Sequence, residues 1–273
     1  MSTQHNARII PDDVPGGEVI FPNVLASKDF AVITEGRYEV RLAQNGKETA
    51  SALKLRYQVF SLELACEFPS SQGSVLEYDA FDFKCQHLVV IDRNTGETVG
   101  TFRLNTLEAA GSISGFYSSN EFTIGDLPAE VLQDGIEIGR ACIAREHRNT
   151  KVAYLLGKGL MRYMAVSGKR YFFGCCSMFT QDEHAGKAAY LQMVRDGHLD
   201  DSFWVTPVAN GLDLIAATGD SSIELPSLFN MYLRIGAKVC GPPMIDREFG
   251  TIDFFVVFDV TKMNEKYRRM FVA

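Results

Sequence analysis

The residues with the clearest chemical potential are two charged side chains in an otherwise apolar stretch, residues 136–143. Glu137 and Arg140 lie three positions apart in this stretch, whose composition is typical of a β-strand. A buried charge is costly unless it is paired or used in chemistry. The pattern therefore indicates either a structural ion pair or a reactive site.

Further charges flank this stretch. Arg103 lies among the apolar residues of a second strand-like segment, 99–104, and the basic segment 145–151 precedes a helical pattern. Free backbone N–H groups and the helix dipole make the start of a helix favourable for anions. These positions predict a site for a phosphate or a developing negative charge.

Length, composition and charge are those of an ordinary globular protein. The 273 residues can bury one substantial core or two smaller ones, and 46% of them are hydrophobic and 22% charged. No apolar run approaches the roughly 20 residues of a membrane-spanning helix, and the first 13 residues contain no signal-peptide core, so we expect a cytoplasmic protein. The net charge of −7 argues against nucleic-acid binding.

The six cysteines do not form a metal-binding pattern. Neither C-x-x-C nor a zinc spacing occurs, and several cysteines lie inside apolar strand-like runs. We therefore expect buried structural thiols and no metal site.

Positive charge is concentrated in residues 145–170, which contain one acidic residue, Glu146. The basic residues are Arg145, Arg148, Lys151, Lys158, Arg162, Lys169 and Arg170. Two interpretations remain open for this segment: a solvated helix face, or a docking surface for an acidic partner or a phosphorylated cofactor.

The periodicity predicts a single α/β domain with a mixed sheet over residues 37–273, preceded by an irregular arm over residues 1–36. Predicted strands cover residues 38–42, 87–92, 98–104, 136–143, 171–176 and 252–260. Predicted helices cover residues 45–64 and 226–235. Two further helices are predicted, one of about 18 residues that ends at residue 168 and one that begins with a cap at residues 180–183. The order strand, helix, strand over 136–176 predicts two parallel neighbours joined by a crossover helix.

Five short motifs, in a fixed order, resemble a known family. They are Leu-Arg-Tyr-Gln-Val-Phe at 55–60, Asp-Ala-Phe-Asp at 79–82, Gly-Thr-Phe-Arg-Leu at 100–104, Gly-Phe-Tyr-Ser at 115–118 with Glu-Phe at 121–122, and Glu-Ile-Gly-Arg at 137–140. Together they resemble the GNAT-fold ornithine N-alpha-acyltransferases that make lyso-ornithine lipid. The resemblance covers roughly residues 37–260 and extends more distantly to acyl-homoserine-lactone synthases and N-acyl amino acid synthases.

The resemblance implies a fold and a reaction. The expected fold is a mixed, mostly antiparallel sheet with a splayed central strand pair and helices on both faces. The expected reaction moves a (3-hydroxy)fatty acyl group from acyl carrier protein to the α-amine of an amino acid, ornithine. No cofactor is expected to stay bound, because the acyl group arrives on the phosphopantetheine of its carrier, or on CoA.

One departure from acetyl-CoA-dependent GNAT enzymes concerns the acyl donor. Their R/Q-x-x-G-x-G/A loop corresponds here to residues 148–153, where Lys151 replaces the first glycine. A side chain at that position limits close approach of the backbone to a pyrophosphate. This weakens the case for CoA and favours a carrier protein, whose acidic surface would suit the basic segment. The expected donor-binding residues are Ile143, Arg145, Arg148 and Lys151.

The resemblance also assigns catalytic roles. Glu137 is the expected base for the amine, supported by Arg140 and Arg103, and Tyr232 is the expected acid for the departing thiolate. Period-two counting puts Arg140 on the opposite strand face from Glu137 unless the strand bulges. The alternatives are an ion-pair network for the glutamate and arginines, and a core position for the tyrosine.

The expected substrate-binding residues are Arg56, Phe60, Asp79, Asp82, Phe116 and Phe122. The two aspartates could pair with the second amine of a cationic amino acid, and the alternative for them is a capped surface turn.

Other functions remain as alternatives at this point. One is an autoinducer-type or long-chain N-acyl amino acid synthase that uses a different amine. Against the autoinducer type, Ile136 stands where that family usually has tryptophan. Another is a non-catalytic GNAT-fold module that binds carrier protein or lipid. The mixed basic and apolar tail at 262–271 indicates either an interfacial helix with peripheral contact to the inner face of the membrane or a packed terminus.

Overall fold

The computed structural model describes residues 29–66, 74–214 and 223–271. Within them, nine strands form one sheet in the order β1-β2-β3-β4-β5-β6-β9-β7, with β8 paired to β9. The strands are β1 (Ile33–Glu35), β2 (Tyr38–Leu42), β3 (Gln86–Asp92), β4 (Glu97–Thr106), β5 (Gly135–Ile143), β6 (Tyr171–Met178), β7 (Lys238–Val239), β8 (Met244–Asp246) and β9 (Thr251–Asp259). All pairs are antiparallel except β5 with β6.

Helices cover both faces of this sheet, as expected for a GNAT fold. They are α1 (Gly46–Arg56), α2 (Leu107–Ala110), α3 (Ala129–Gln133), α4 (Thr150–Ser167), α5 (Glu183–Arg195), α6 (Ser227–Ile235) and α7 (Glu265–Phe271). Helices α4, α5 and α6 pack on one face, against core residues such as Phe102, Phe172 and Phe254. Helix α1 and the segment between β4 and β5 pack on the other, against residues such as Cys142 and Phe173.

The start of the folded domain lies earlier in the chain than predicted. Strand β1 pairs with β2 through Ile33 and Val40, and Phe30 is buried in the core beside α4. The boundary at Arg37 is therefore too late, because a short edge strand of three residues gives little periodic signal. Residues 1–28 of the predicted arm lie outside the described residues, as do residues 219–222 of the polar loop before α6.

The central parallel pair has the predicted crossover helix. Helix α4 is capped at its start by the side chain of Asn149, which accepts the N–H groups of Lys151 and Val152, and it ends at Gly168 in the left-handed conformation. Ladder pairs join β5 and β6 only from Gly135–Tyr171 to Glu137–Phe173. Beyond Glu137 the two strands diverge, which is the splayed pair that the resemblance implied.

A glycine allows the strands to touch at the point of divergence. Gly174 has φ +155°, and a Cβ atom there would lie 2.4 Å from the carbonyl oxygen of Ile138. A side chain at this position would clash with backbone, so the opening between β5 and β6 depends on glycine.

The helix predicted for residues 45–64 changes from α-helical to π-helical geometry near its middle. Asn45 caps α1 by accepting the Glu48 N–H, as predicted, but the α-helix ends at Arg56 and continues as a π-helix, Tyr57–Glu63. Such wide turns are rare and frequently occur at functional sites. Here the π-helix contains Phe60, which lies beside the cavity described below.

The last predicted elements are confirmed with small shifts. Helix α5 begins after Asp182, which accepts the His184 N–H, and α6 and β9 match the predicted positions within one residue. Helix α7 packs on α4, where Phe271 stacks on Tyr154 with the ring centroids 5.9 Å apart. In the described residues, no helix has both the length and the apolar character needed to cross a bilayer.

Candidate active site

A β-bulge decides the geometry of the charged strand. Arg103 of β4 pairs with Gly139 of β5, whereas Thr101 pairs with Cys142, so β5 has an extra residue between these pairs. Arg140 has φ +51° at this point, a left-handed conformation that is uncommon for a residue with a side chain. The bulge turns Arg140 toward the same side as Glu137, which resolves the conflict in the strand alternation.

Both charged residues line one cavity at the point where β5 and β6 diverge. It has a volume of about 1020 Å³ with its open mouth included. Its polar lining residues include Arg103, Tyr117, Ser118, Cys175 and Asp253, and its apolar and aromatic lining residues include Phe60, Phe229, Tyr232, Phe249 and Val256. The structure thus brings together all four residues predicted to be catalytic.

Glu137 is buried and held by a neighbouring loop rather than by an arginine. Its Oε1 accepts the backbone N–H and the hydroxyl of Ser118, both at 2.7 Å, and its Oε2 accepts the N–H of Tyr117 at 3.0 Å. Burial raises the pKa of Glu137, while the Ser118 hydrogen bonds and the charge of Arg103 oppose the rise. The result is an oriented carboxylate with raised basicity, which is the requirement for a general base.

The Ser118 hydroxyl should set the pH at which Glu137 loses its proton. Ser118→Ala removes a donor that favours the carboxylate form, so we expect the pKa of Glu137 to rise and the acid limb of the kcat/KM profile to move up by about one pH unit. Ser119→Ala is the control, because the Ser119 hydroxyl donates to the carbonyl of Phe116 instead. Equal profiles for the two variants would contradict this role.

The arginines are balanced by a buried network of three carboxylates. Arg56 is completely buried and binds Asp82 through two bonds of 2.6 and 3.0 Å, and its Nε binds Glu77. Glu77 also accepts Arg140 Nε at 3.3 Å. Glu77 was missed by the sequence reasoning, since nothing in its neighbourhood distinguishes it from a surface glutamate.

Asp79 completes this network. Its carboxylate accepts Arg103 at 2.6 Å and Arg140 at 3.1 Å. The same side chain caps a 3-10 helix, Ala80–Phe83, by accepting the Phe81 N–H. The ring of Tyr117 lies beneath both guanidiniums, 4.7 Å from the carbon of Arg140. Arg103 and Arg140 therefore belong to an ion-pair network, which was predicted from the sequence as the alternative to a catalytic role.

This network corrects the assignment of the aspartates. Asp79 and Asp82 were predicted to bind a substrate ammonium, but each already binds two arginines. The pKa of Asp82 lies well below its usual range, although burial opposes this, because the Arg56 and Arg103 charges hold it ionised. A substrate cation would have to displace these partners, so the geometry does not support that role.

The other predicted substrate-binding residues have different positions. Phe60 lines the cavity, where its ring meets Phe249 edge to face. Phe116 and Phe122 are buried in the core and pack against Phe173 and Phe255. Arg56 lies behind the cavity within the ion-pair network. Arg56, Phe116 and Phe122 therefore support the site from outside the cavity, and of these four residues only Phe60 can contact a substrate directly.

Tyr232 of α6 lies where two cavities meet. It lines the cavity of Glu137 and also a second, almost wholly apolar cavity, whose volume is about 600 Å³ with its open mouth included. Burial raises the pKa of Tyr232 well above its usual value, so the hydroxyl keeps its proton. A protonated phenol at this junction can donate to a leaving group.

The residues predicted to bind the acyl donor lie at the end of β5 and the start of α4. Arg148 binds Glu63 and donates to the carbonyl of Ile143 at 3.0 Å, and Lys151 binds Glu35. Arg145 lies in a short exposed 3-10 helix. Exposed ion pairs contribute little, so a phosphate could replace either carboxylate.

Ion pairing also reduces the basic surface predicted for residues 145–170. Besides Arg148 and Lys151, the paired residues are Lys158 with Glu35, Lys169 with Glu108 and Arg170 with Asp259. The sequence could not show this, because each acidic partner comes from outside the segment.

A second acidic cluster was not expected. The carboxylate oxygens of Glu121, Asp246 and Asp253 lie within 4.8 Å of one another. They come from three separate elements: the loop after β4, the end of β8 and the middle of β9. No spacing in the sequence connects them, although Glu121 is part of one motif that carries the family resemblance.

All six cysteines are free, as predicted, and five are buried. Cys175 lies in the cavity wall, 3.6 Å from the hydroxyl of Ser118. Burial raises its pKa well above the usual value, so the thiol is not activated as a nucleophile.

Comparisons with known proteins agree with this fold. Residues 55–158 match the acetyltransferase (GNAT) domain family. The chain is 30% identical to an L-ornithine N(alpha)-acyltransferase of Agrobacterium fabrum over 249 residues, covering 85% of this chain and 84% of that protein. A protein of the same name from Rhizobium meliloti is 29% identical over 254 residues, covering 86% and 84%.

Among solved structures, the acyl-homoserine-lactone synthase LasI is similar with a TM-score of 0.50 and 12% identity. The similarity covers 87% of this chain and 95% of that chain. At this level of identity it concerns the fold alone.

Proposed function

Because this chain belongs to the family of L-ornithine N(alpha)-acyltransferases and is an N-acyltransferase, we propose that it transfers a fatty acyl group from a carrier-bound thioester to the α-amine of ornithine. The observation that carries this proposal is the buried Glu137 carboxylate in the opening between β5 and β6, next to an apolar cavity. An amine and an acyl chain could meet there away from bulk water.

The reaction requires three events at this place. The neutral amine nitrogen attacks the thioester carbonyl carbon and loses a proton, which Glu137 accepts directly or through water. The carbon–sulfur bond then breaks, and Tyr232 protonates the departing thiolate. The products are an amide and the free thiol of the carrier. Glu137 is then protonated and Tyr232 is a phenolate, and transfer of one proton from Glu137 to Tyr232 through water restores both groups.

The arginines would orient the amino acid rather than carry out proton transfer. Arg103 and Arg140 line the cavity, and each is held in place by carboxylates on its far side. Their positive charge can receive the α-carboxylate of an amino acid through charge-assisted hydrogen bonds. That contact would direct the α-amine toward Glu137.

The second cavity fits the acyl chain. It lies between α4, α6 and the sheet and is lined by residues such as Leu160, Met161, Met231, Phe258 and Phe271. Burying each CH₂ group there is favourable by about 0.8 kcal/mol. Since Tyr232 lies at the junction of the two cavities, a chain in this position would present its carbonyl near the amine.

A larger side chain in the second cavity should change the specificity for the acyl chain. Met231→Trp should fill part of this cavity, so we expect the ratio of kcat/KM for a long acyl chain to that for a short one to fall about tenfold or more. Competing acyl donors analysed by mass spectrometry measure this ratio. Met270→Trp, on the exposed face of α7, is the control, and an equal effect in both variants would contradict the assignment of the cavity.

The donor is proposed to be an acyl carrier protein. Its phosphopantetheine has one phosphate and no nucleotide, which suits a loop where Lys151 stands in place of glycine. Arg145, Arg148 and Lys151 surround the start of α4 and offer positive charge to that phosphate. Any association with the membrane surface through the C-terminal helix would be peripheral.

The proposed function is tested by incubating the protein with 3-hydroxyacyl carrier protein, acyl-CoA or no donor, together with single amino acids. Mass spectrometry should detect N-acylornithine with the carrier-protein donor. A lactone formed from S-adenosylmethionine would favour an autoinducer-type synthase instead. Binding of carrier protein without any acylated amine would overturn the enzymatic proposal.

A further inference from the structure

The acidic cluster of Glu121, Asp246 and Asp253 has no basic partner in the described parts of the chain. This separates it from the network around Arg56, where every carboxylate is balanced. Glu121 and Asp253 are 5% and 3% exposed, so water does not compensate for the missing charge. A buried group of acids without a countercharge needs a further explanation.

Several oxygens of the cluster also lack hydrogen bonds of normal geometry. Among the described residues this holds for both oxygens of Glu121 and for Asp253 Oδ1. The groups close enough to donate to them are neutral: the Tyr117 hydroxyl and the Cys175 thiol near Glu121, and the hydroxyls of Ser177 and Thr251 near Asp253. Asp246 differs, because its Oδ1 accepts the N–H groups of Glu248 and Phe249 and is thereby fixed in orientation. A group with several N–H donors is the complement of such a set.

The protonation of the cluster reflects this lack of positive charge. Burial and the neighbouring Asp253 raise the pKa of Glu121 to about 8, and burial and Asp246 raise that of Asp253 to about 6. Hydrogen bonds from neutral groups partly oppose both rises: from Tyr117 and Cys175 to Glu121, and from Ser177 and Thr251 to Asp253. Glu121, when protonated, also donates to Asp253. A cation that enters would favour the ionised carboxylates and release a proton.

The cluster borders the cavity in which the amine would react through one of its members. Asp253 lines the same cavity as Glu137, and so do Tyr117 and Cys175, which lie next to Glu121. Ser118 connects the two places, because its hydroxyl donates to Glu137 at 2.7 Å and lies 3.6 Å from the Cys175 sulfur. A short molecule in this cavity could therefore contact Glu137 at one end and the cluster, through Asp253, at the other.

We propose that Glu121, Asp246 and Asp253 form the subsite that binds the side-chain ammonium of a diamino acid. This inference rests on the proposed acyl transfer to an amino acid and adds the basis of its selectivity. An ammonium supplies the positive charge and the three N–H donors that the cluster lacks. This subsite takes the role that was predicted from the sequence for Asp79 and Asp82, which are already bound by arginines.

The test compares ornithine with norvaline, which has the same carbon chain but no side-chain amine. We expect wild-type protein to prefer ornithine, and Glu121→Gln to lower the ratio of kcat/KM for ornithine to that for norvaline by roughly tenfold to a hundredfold. Asp253→Asn should have the same effect. Glu248→Gln is the control, since Glu248 is an exposed acid in the turn next to Asp246.

An unchanged ratio in both variants would overturn the subsite, including the case in which both substrates lose activity equally. Should the variants fail to fold, calorimetry on wild type decides: ornithine should release more protons on binding than norvaline in buffers of different ionisation enthalpy, and equal release would overturn the proposal. Absence of any acylated amino acid with wild type would instead overturn the proposed function and this inference with it.

A divalent cation is the competing occupant of three clustered carboxylates. Activity with ornithine should persist in EDTA and show no response to added Mg²⁺, Ca²⁺ or Mn²⁺. A metal requirement that disappears in Glu121→Gln would identify the cluster as a metal site and would overturn the ammonium assignment.

Discussion

Glu137→Gln should lower kcat by about 10²-fold or more with ornithine and an acyl carrier protein thioester, because it removes the base from the cavity. The amide has nearly the same shape, and its oxygen can still accept the Ser118 N–H, but its NH₂ group then faces the Tyr117 N–H and cannot accept it. The amide also cannot accept the amine proton. Single-turnover acylation followed by mass spectrometry measures the fall in kcat. Thermal unfolding measures the separate loss of stability from the unpaired Tyr117 N–H, which is about 1–3 kcal/mol.

The pH profile provides a second readout for the same residue. A base must be ionised to act, so wild-type kcat should fall as the pH falls through the raised pKa of Glu137. The Gln variant should lose this dependence. Glu97→Gln is the matched control, because Glu97 lies exposed on β4. A rate for Glu137→Gln close to that of the control would remove the assignment of the base.

Arg56→Met should cause the largest loss of stability. The substitution leaves Glu77 and Asp82 buried with reduced positive charge, and breaking a buried ion pair in this way costs about 3–5 kcal/mol. Urea denaturation followed by circular dichroism should show this as a fall in the free energy of unfolding. Arg41→Met is the control: its partners Glu39 and Glu48 are partly exposed, so water can solvate them and the loss should be much smaller.

The same network predicts how stability depends on pH. The arginines hold the pKa of Asp82 below its unfolded value. Its contribution is therefore fully present above the ordinary carboxyl pKa of about 4 and is lost as the pH falls below it. The stability difference between wild type and Arg56→Met should shrink over this range. A constant difference would show that the loss comes from packing rather than from charge.

The fold could be predicted because its elements carry local signals. The alternation in β2, the cap at Asn149 and the glycine at 168 are each contained in a few consecutive residues, and hydrophobic periodicity follows directly from the geometry of helices and strands. The short strand β1 and the π-helix after Arg56 were missed. Neither has a sequence pattern of its own, since both depend on packing against distant residues.

The candidate site was only partly predictable for the same reason. Two charges in an apolar strand identified Glu137 and Arg140, and the family motifs identified Arg103 and Tyr232. Which charges pair with each other is a long-range property that sequence spacing does not encode. Arg56 and Arg140 both pair with Glu77, which no sequence pattern had identified. Asp79 and Asp82 also pair with arginines instead of remaining free for a substrate.

The sequence by itself determined the kinds of element, the family and the presence of costly charges in a buried strand. Only the tertiary structure decided their use. The bulge at Arg140 depends on pairing with β4, and the meeting of Glu121, Asp246 and Asp253 depends on three elements far apart in the chain. Because electrostatic interactions act through space and are strong where water is excluded, the roles of these charges follow from position in the fold rather than from order in the chain.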